Sequence, residues 1–195
     1  MKRLVLASSN EGKIREIRRI LAPLGLELIP QAHFGIAEAG EPHATFIENA
    51  LAKVRHASAL SGLAAIADDS GLCVDALDGA PGVYSARLAG EPKSDERNND
   101  RLLELLTHTE NRTAHYYCVL VLLRRAHDPQ PLIAEGEWHG EILRERRGAG
   151  GFGYDPVFFD PRLGRSGAQL PLDEKNLVSH RGKALRALVE KLTGG

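Results

Sequence analysis

The chain has 195 residues, of which 43% are hydrophobic and 26% charged, and its formal net charge is −1 at pH 7. This length and composition are typical of one globular domain with a sizeable core, and the near-zero charge argues against a protein that coats nucleic acid. No stretch approaches the roughly 18 apolar residues that a membrane span needs, and the N-terminus has too few for a signal sequence. We therefore expect a cytoplasmic protein without membrane or stable nucleic-acid binding.

Hydrophobic periodicity predicts alternating strands and helices at the start of the chain. RLVLA at 3–7 predicts a buried strand that ends in the polar turn SSNEGK, and a helix with isoleucine and leucine at helical spacing runs to Pro23. LELI at 26–29 predicts a second strand. Thr45 and Glu48 form a T-x-x-E capping box, so a longer helix is expected to start at Thr45.

Two apolar runs of strand length follow, LAAIA at 63–67 and LCVDAL at 72–77. We expect a hairpin or a bent strand pair here, with the intervening Asp-Asp-Ser-Gly as its turn. The Gly- and Pro-rich segment 79–94 predicts a long ordered loop before a leucine-rich helix. The two cysteines, Cys73 and Cys118, form no Cys-x-x-Cys pair, so we expect buried free thiols.

The second half of the chain adds more strands and a closing helix. AHYYCVLVLLRR at 114–125 is the longest apolar run and predicts a central strand, LIAEGEW predicts its neighbour, and the glycine loop GAGGFGYDP leads into another strand. The mixture of hairpin-like and crossover connections predicts an α/β fold, with a mixed, largely central β-sheet flanked by helices. The glycine loop at 148–153 follows no strand and opens no helix, which excludes a dinucleotide fingerprint.

Four polar groups of residues are left once the core is assigned, and the first is SSNEGK. Ser8, Ser9 and Asn10 supply hydroxyl and amide groups, and Gly12 and Lys13 lead into a helix whose first N–H groups are free. These are the donors that a phosphate chain needs. The alternative is that Asn10 only caps the helix and Lys13 is solvated.

The second group is the aspartate pair at the end of an apolar run. Mg²⁺ prefers oxygen ligands, and one or two carboxylates suffice when a substrate's phosphates supply the rest. Adjacent residues in extended backbone point to opposite faces, so we expect one of Asp68 and Asp69 to enter the site and the other to support it. The alternative is an Asx turn. Asp75 shares a face with Cys73 and its role is left open.

The third and fourth groups lie near the C-terminus. In GGFGYDP, consecutive glycines allow close backbone approach, and Phe152 or Tyr154 offers an aromatic face to a base, although a generic turn also explains the motif. In DEKNLVSHRGKAL, Lys175, His180 and Arg181 bring positive charge to a helix start, and the alternative is a solvated basic helix end. Together the four groups fit a nucleoside triphosphate.

The ordered motifs SSNEGK, TFIENALAK, ADDSGLCVDALDGAPGVYSAR, GGFGYDPVFF and SHRGKAL closely resemble the inosine/xanthosine triphosphate pyrophosphatase family, nearly end to end. The resemblance implies one domain over 1–195, elongated and two-lobed, with the active site in the cleft between lobes, and usually a homodimer. It also implies Mg²⁺-dependent hydrolysis of ITP, dITP and XTP to the monophosphate and pyrophosphate. In this family that reaction cleanses the nucleotide pool, which keeps these bases out of DNA and RNA.

The resemblance also assigns residues. Asp69 would be the catalytic proton acceptor and a metal ligand, and the second metal ligand would be Glu41, with Glu38 as runner-up. The implied substrate contacts are the triphosphate loop Ser8, Ser9, Asn10, Glu11, Gly12 and Lys13, then Ser70, the base loop Phe152, Gly153, Tyr154 and Asp155, and finally Lys175, His180 and Arg181.

Two positions depart from the family's pattern. The family loop commonly reads Thr-Gly-Asn where this chain has Ser8-Ser9-Asn10, and EAGEPHATF replaces an E-E-T-G context. Two other function classes are also open, a nucleotide-binding sensor without catalysis and an RNA-binding protein. The paired aspartates favour catalysis over the sensor, and the near-neutral charge with 5% aromatic residues disfavours RNA binding.

Overall fold

The computed structural model describes residues 3–194, in which strands and helices alternate. The strands are β1 (Arg3–Leu6), β2 (Glu27–Pro30), β3 (Ala65–Val74), β4 (Thr113–Leu123), β5 (Leu132–Ile142), β6 (Phe158–Asp160) and β7 (Arg165–Ser166). The helices are α1 (Glu11–Leu21), α2 (Phe46–Ser61), α3 (Asp95–Leu105), α4 (Leu172–Val178) and α5 (His180–Thr193). Each of these helices is too short or too polar to traverse a lipid bilayer.

The strands form one sheet in the order β2-β1-β3-β4-β5-β6-β7. The first strand pairs in parallel with both β2 and β3, whereas β6 pairs antiparallel with β5 and β7. The sheet is therefore mixed, which confirms the predicted fold class. The prediction of a central strand over 114–125 is also confirmed, because β4 holds the middle position of the order.

The prediction of a turn at Asp-Asp-Ser-Gly is wrong, and so is the Asx-turn alternative. Residues 65–74 form one continuous strand, β3, in which both aspartates are buried. A buried strand can contain carboxylates when each carboxylate is paired with a cation. Both aspartates of β3 have such a partner. Asp75, which was expected in a strand, begins a short 3₁₀ helix, and a second 3₁₀ helix spans Gly82–Arg87 in the predicted loop.

The described residues divide into two compact units. Unit one comprises residues 3–69, Cys118–Gly136 and 180–194, and unit two comprises Ser70–Tyr117 and Glu137–Ser179. Each unit has its own hydrophobic core. The core of unit one joins β1, α1, β4 and α5 through residues such as Leu6, Ile17, Leu120 and Leu185. The core of unit two includes Leu72, Leu102, Trp138 and Phe158.

The helix starts follow local sequence signals. Asn10 is the N-cap of α1, and its side chain accepts a hydrogen bond from Lys13 N. Thr45 is the N-cap of α2, as the capping box predicted, because its Oγ1 accepts from Glu48 N at 3.3 Å. Such caps contribute about 1 kcal/mol each. They fix where α1 and α2 begin, and both helices carry candidate site residues.

The two cysteines differ in their surroundings. Cys118 lies on β4 in the core of unit one, and burial raises the pKa of its thiol to about 12. Cys73 is only half-buried, so the expectation of a buried thiol is wrong at this position. Its pKa is also raised, chiefly by burial and further by Glu137 and Asp75. Both thiols are free.

Candidate active site

The loop between β1 and α1 carries the predicted phosphate-binding residues. Ser8 Oγ accepts a hydrogen bond from Asn10 N at 3.2 Å, so the loop is tied to itself ahead of the helix. Ser9 Oγ donates to the Glu38 carboxylate. Lys13 is not solvated, because its side chain is 17% exposed and its Nζ lies 3.1 Å from Asp68 Oδ2. The helix N-terminus and the ammonium group of Lys13 are thus held in one small region.

Asp68 is the centre of a buried ion-pair network in unit one. Its Oδ2 accepts hydrogen bonds from Nε and Nη2 of Arg181 at 3.1 and 3.0 Å, in addition to the contact with Lys13. The guanidinium group of Arg181 also donates a hydrogen bond to Glu16. Asp68, Arg181 and Glu16 are all almost fully shielded from solvent. Burial alone would raise the pKa of Asp68, but Lys13 and Arg181 hold it well below its ordinary value. Asp68 therefore stays ionised and fixes both cations.

Asp69 faces a different cation. Its Oδ1 lies 2.7 Å from Nζ of Lys53, and the same nitrogen lies 2.9 Å from Oε1 of Glu41. Burial raises the pKa of Asp69 above its ordinary value, although Lys53 opposes that shift. Burial would lower the pKa of Lys53, but Asp69, Asp68 and Glu41 outweigh it and the net shift is upward. Two neighbouring aspartates of one strand thus serve two separate cationic partners.

Carboxylate oxygens of Glu41 and Asp69 both contact Nζ of Lys53. Two carboxylates are also a ligand set that Mg²⁺ accepts when phosphates and waters complete its coordination shell. Among residues 3–194 no cluster of three or more His, Cys, Asp and Glu side chains could hold a metal ion by itself. The donor set therefore fits a divalent cation that arrives with a phosphate ligand. Glu38, the runner-up, bonds to Ser9 instead.

In unit two, Asp155 organises the glycine loop from inside. Its buried Oδ2 accepts hydrogen bonds from Phe152 N at 2.8 Å and from Nζ of Lys175 at 2.5 Å. The same ammonium nitrogen lies 4.5 Å from the centroid of the Phe152 ring, a cation–π distance. Tyr154 packs into the hydrophobic core, and its hydroxyl donates to Ser85 O at 2.7 Å. Of the two aromatic residues, Tyr154 is buried and Phe152 is only partly buried.

One glycine of this loop, Gly151, is required by Asp155, and so is Gly167 further along the chain. A Cβ on Gly151 would lie 2.2 Å from Asp155 Oδ2, and the residue has a φ of +72°. A Cβ on Gly167 would lie 2.9 Å from the other carboxylate oxygen. Contact between backbone and ligand was the expected reason for these glycines. In the structure, Gly151 makes room for a buried carboxylate of the chain itself.

The residues from the fourth motif are buried, so the alternative of a solvated basic helix end is wrong. Lys175 lies on α4, and Ser179 separates α4 from α5 in extended conformation. His180 and Arg181 begin α5 and are 4% and 1% exposed. Gly136 of β5 allows this approach, because a Cβ there would lie 2.2 Å from His180 O.

The predicted site residues fall into three groups. In unit one, Asp68 brings Lys13 and Arg181 together, and Lys53 brings Glu41 and Asp69 together. The third group, in unit two, joins Phe152, Asp155 and Lys175. The remaining predicted positions lie in or beside these segments, namely Ser8, Ser9, Asn10, Glu11 and Gly12 at the start of α1, Ser70 on β3, Gly153 and Tyr154 in the glycine loop, and His180 at the start of α5.

The sequence analysis did not identify Lys53 or Glu16 as site residues. In the structure, Lys53 pairs with Asp69, and Glu16 accepts a hydrogen bond from Arg181, the partner of Asp68. A signal for Lys53 is present in the sequence. It lies three residues after Ala50 and four before Ala57, which places a lysine on the buried stripe of α2. A charged residue on an apolar helix face indicates a buried partner.

These findings define the chain as an α/β protein with a seven-stranded mixed sheet and ion-paired aspartates on its third strand. A family model described as the Ham1 family matches residues 4–191, and the chain belongs to this family. The resemblance seen in the sequence motifs is thereby confirmed.

Relatives and solved structures match this chain over nearly its full length. Proteins named dITP/XTP pyrophosphatase are 60% identical in Nitrosomonas europaea (99% of this chain, 95% of the relative) and 62% identical in Ralstonia nicotianae (98% and 97%). The structure of a HAM1 protein from Coxiella burnetii superposes with a TM-score of 0.93 at 45% identity, covering both chains fully. The Staphylococcus aureus Ham1 protein gives a TM-score of 0.88 at 40% identity, covering 99% of each chain.

Proposed function

We propose that this protein hydrolyses the deaminated purine nucleoside triphosphates dITP, ITP and XTP to the monophosphate and pyrophosphate. The name dITP/XTP pyrophosphatase, carried by full-length relatives at about 60% identity, supports this substrate class. The reaction removes such nucleotides before they enter DNA or RNA. We assign the activity to one domain spanning residues 1–195.

The observation that carries the proposal is the convergence of Glu41 and Asp69 on the ammonium group of Lys53. Two carboxylates beside a cationic side chain suit a divalent cation that is shared with a polyphosphate, and we propose Mg²⁺ as that ion. When bound, the ion would offset phosphate charge and make the α-phosphorus more electrophilic. Glu41 and Asp69 are the residues that would hold it.

The chain's own groups then account for phosphate binding. The N-terminus of α1 presents backbone N–H groups that favour an anion, and the segment Ser8–Lys13 adds hydroxyl, amide and ammonium donors. Asp68 holds Nζ of Lys13 at 3.1 Å, so that cation is positioned before a substrate arrives. This arrangement supports the assignment of the segment as the triphosphate loop.

Asp69 would accept the proton of the attacking water. A bond forms between the water oxygen and the α-phosphorus, the bond from that phosphorus to the bridging oxygen breaks, and pyrophosphate leaves with the electron pair. Burial raises the pKa of Asp69, which makes its carboxylate a stronger base than an ordinary aspartate. Lys53, at 2.7 Å, would keep that carboxylate oriented.

The loop at 152–155 and Lys175 would contact the base. Hypoxanthine and xanthine carry an oxygen at position 6, where adenine carries an amino group. A hydrogen-bond donor of the protein that faces position 6 therefore favours hypoxanthine and xanthine over adenine. Leaving that donor unpaired against adenine would cost about 1 to 3 kcal/mol. We also propose Ser70, His180 and Arg181 as substrate contacts, and the bonds of Arg181 to Asp68 support a second role in fixing Asp68.

We further propose a homodimer located in the cytoplasm, where nucleoside triphosphates are the available substrate. Analytical ultracentrifugation of the purified chain tests the first point. A species of twice the chain mass supports the dimer, and a single species of one chain mass contradicts it.

The decisive experiment measures pyrophosphate release from ITP, dITP, XTP, ATP and GTP, with and without Mg²⁺. Strong Mg²⁺-dependent release from the first three, and weak release from ATP and GTP, would support the proposal. Tight binding of ITP without release would instead indicate a nucleotide sensor. Equal release from all five would contradict the assigned substrate class.

A further inference from the structure

Two side chains of α3 hold the backbone of one residue in the glycine loop. Asp95 Oδ2 accepts a hydrogen bond from Gly153 N at 2.7 Å, and Asn99 Nδ2 donates to Gly153 O at 2.8 Å. These partners are 58 and 54 residues apart in the sequence. Both backbone polar groups of Gly153 are therefore fixed by side chains from a distant element of the same unit.

The needs of α3 explain only part of this arrangement, because Asn99 Nδ2 also donates to Asp95 O within the helix at 2.7 Å. Ser94 already caps the helix, since its side chain accepts from Arg97 N. Asn99 is 2% exposed, and its Oδ1 is buried with no hydrogen-bond donor within residues 3–194. An unsatisfied buried acceptor in a helix interior is unfavourable, and Asn is not a strong helix former. The amide nitrogen of Asn99 therefore serves both its own helix, at Asp95 O, and the glycine loop, at Gly153 O, while the amide oxygen has no donor.

The rest of the loop is already fixed on both sides of Gly153. Phe152 N is bound by the Asp155 carboxylate, and Tyr154 is buried in the core with its hydroxyl on Ser85 O. Gly153 itself has a φ of +61°, and a Cβ added to it would have no atom within 4 Å. Both of its backbone polar groups are held by hydrogen bonds, which Asp95 and Asn99 supply.

We propose that Asp95 and Asn99 are positioning residues for the nucleobase, which set the Gly153 peptide groups and thereby the orientation of the Phe152 ring. This inference rests on the proposed function of the same loop. Without the two hydrogen bonds the loop samples other conformations. Only a fraction of the molecules then has the loop conformation that binds the base, and the apparent affinity for substrate falls. The loss falls on substrate binding and on base discrimination, because the residues assigned to the chemical step are unchanged.

The test compares Asp95→Ala with Asp95→Asn, which keeps an oxygen acceptor, and with Glu96→Ala as the matched control. Glu96 carries the same charge on the same exposed helix turn. Steady-state pyrophosphate release is measured with dITP and with ATP at saturating Mg²⁺. For Asp95→Ala we expect the KM for dITP to rise about tenfold with kcat within about twofold, and the preference for dITP over ATP to fall. Asp95→Asn should recover most of the loss, and Glu96→Ala should match the wild type.

A second substitution, Asn99→Asp, keeps the size of the side chain and replaces its donor with an acceptor that faces Gly153 O and Asp95 O. The same rise in KM is expected, which keeps the proposal testable if Asp95→Ala does not fold. The proposal is overturned if both variants fold, as judged by thermal unfolding, and share the KM and base preference of Glu96→Ala.

Failure of the proposed function is a separate outcome of the same experiment. If the wild type releases no pyrophosphate from any substrate, calorimetric binding of dITP to the same variants replaces the kinetic assay. A larger Kd in Asp95→Ala and Asn99→Asp, but not in Asp95→Asn or Glu96→Ala, would then support the positioning role without catalysis. Equal affinities across the variants, or no binding by the wild type, would overturn it.

Discussion

The ammonium nitrogen of Lys53 lies 2.7 Å from Oδ1 of Asp69, across a largely buried ion pair between α2 and β3. Glu41 shares the same nitrogen, so one lysine limits the repulsion between two carboxylates. Without that positive charge, the two acids would be expected to protonate more readily and to drift apart. The geometry of the candidate metal ligands therefore depends on a residue that is not itself a ligand.

Replacing Lys53 by Met should lower turnover of dITP by about 30- to 100-fold, because a charge-assisted hydrogen bond to Asp69 is worth about 2 to 3 kcal/mol. Steady-state pyrophosphate release measures the effect. Arg55→Ala is the control, since Arg55 is an exposed cation on the same helix. Equal turnover in the two variants would show that Lys53 does not support Asp69.

Asp69→Asn should nearly abolish turnover and leave the fold intact, because an amide cannot accept the proton of the attacking water. General-base catalysis typically contributes 10²- to 10⁴-fold, and a loss of about that size is expected. Since the pKa of Asp69 is raised, wild-type activity should fall as the pH drops through that raised value. Circular dichroism checks the fold, and Asp75→Asn, at an exposed acid, is the control. Near-normal activity of Asp69→Asn would refute the assignment.

Asp68→Asn should destabilise the protein by about 3 to 5 kcal/mol at pH 7, because Arg181 and Lys13 lose a buried counter-charge. Urea unfolding at several pH values measures it. The folded pKa of Asp68 is depressed, so its stabilisation is complete above the unfolded pKa of about 3.9 and is lost as the pH falls towards the folded value. The wild type should therefore lose stability below about pH 4 more steeply than Asp68→Asn. Parallel curves would contradict the ion-pair interpretation.

Lys175→Ala removes the partner of buried Asp155 and the cation above Phe152. We expect a KM for dITP that is raised about tenfold or more, because the carboxylate that holds Phe152 N is left without its ammonium partner. Lys93→Ala, at an exposed lysine, should behave as the wild type. If KM is unchanged in Lys175→Ala, neither Lys175 nor the loop it supports contributes to base binding.

Gly151→Ala should disturb the loop far more than Gly164→Ala. Both residues have positive φ, +72° and +65°, so both substitutions carry a similar backbone strain of about 1 to 2 kcal/mol. Only at Gly151 would the new Cβ overlap the carboxylate of Asp155, whereas Gly164 has nothing within 4 Å. Measuring the KM for dITP in both variants distinguishes steric overlap with Asp155 from backbone strain, because only Gly151→Ala has the overlap. Similar values would mean that Asp155 moves without consequence.

Local sequence patterns predicted most of the elements. The capping box located the start of α2, and the run at 114–125 located the central strand, because both signals depend on neighbouring residues only. The continuity of β3 could not be predicted in the same way. Asp68 stays in a buried strand because of cations from Lys13 and Arg181, which lie at opposite ends of the sequence.

The candidate site was also predictable only in part from the sequence. The motifs identified the segments that carry the charged residues, but not which of those residues pair. Asp155 appeared as a substrate contact, whereas in the structure its carboxylate holds Phe152 N and Lys175 inside the loop. Lys53 was overlooked because its acidic partners lie 12 and 16 residues away, beyond the reach of helical spacing.

The burial of Cys118 makes this thiol a natural reporter of unfolding in unit one. Burial raises the pKa of the thiol to about 12, so the reactive thiolate is scarce at neutral pH, and core packing also keeps alkylating reagents away. Cys73 is half-buried and accessible by comparison. In a Cys73→Ser background, the rate of alkylation would therefore follow the opening of the core of unit one, without any added label.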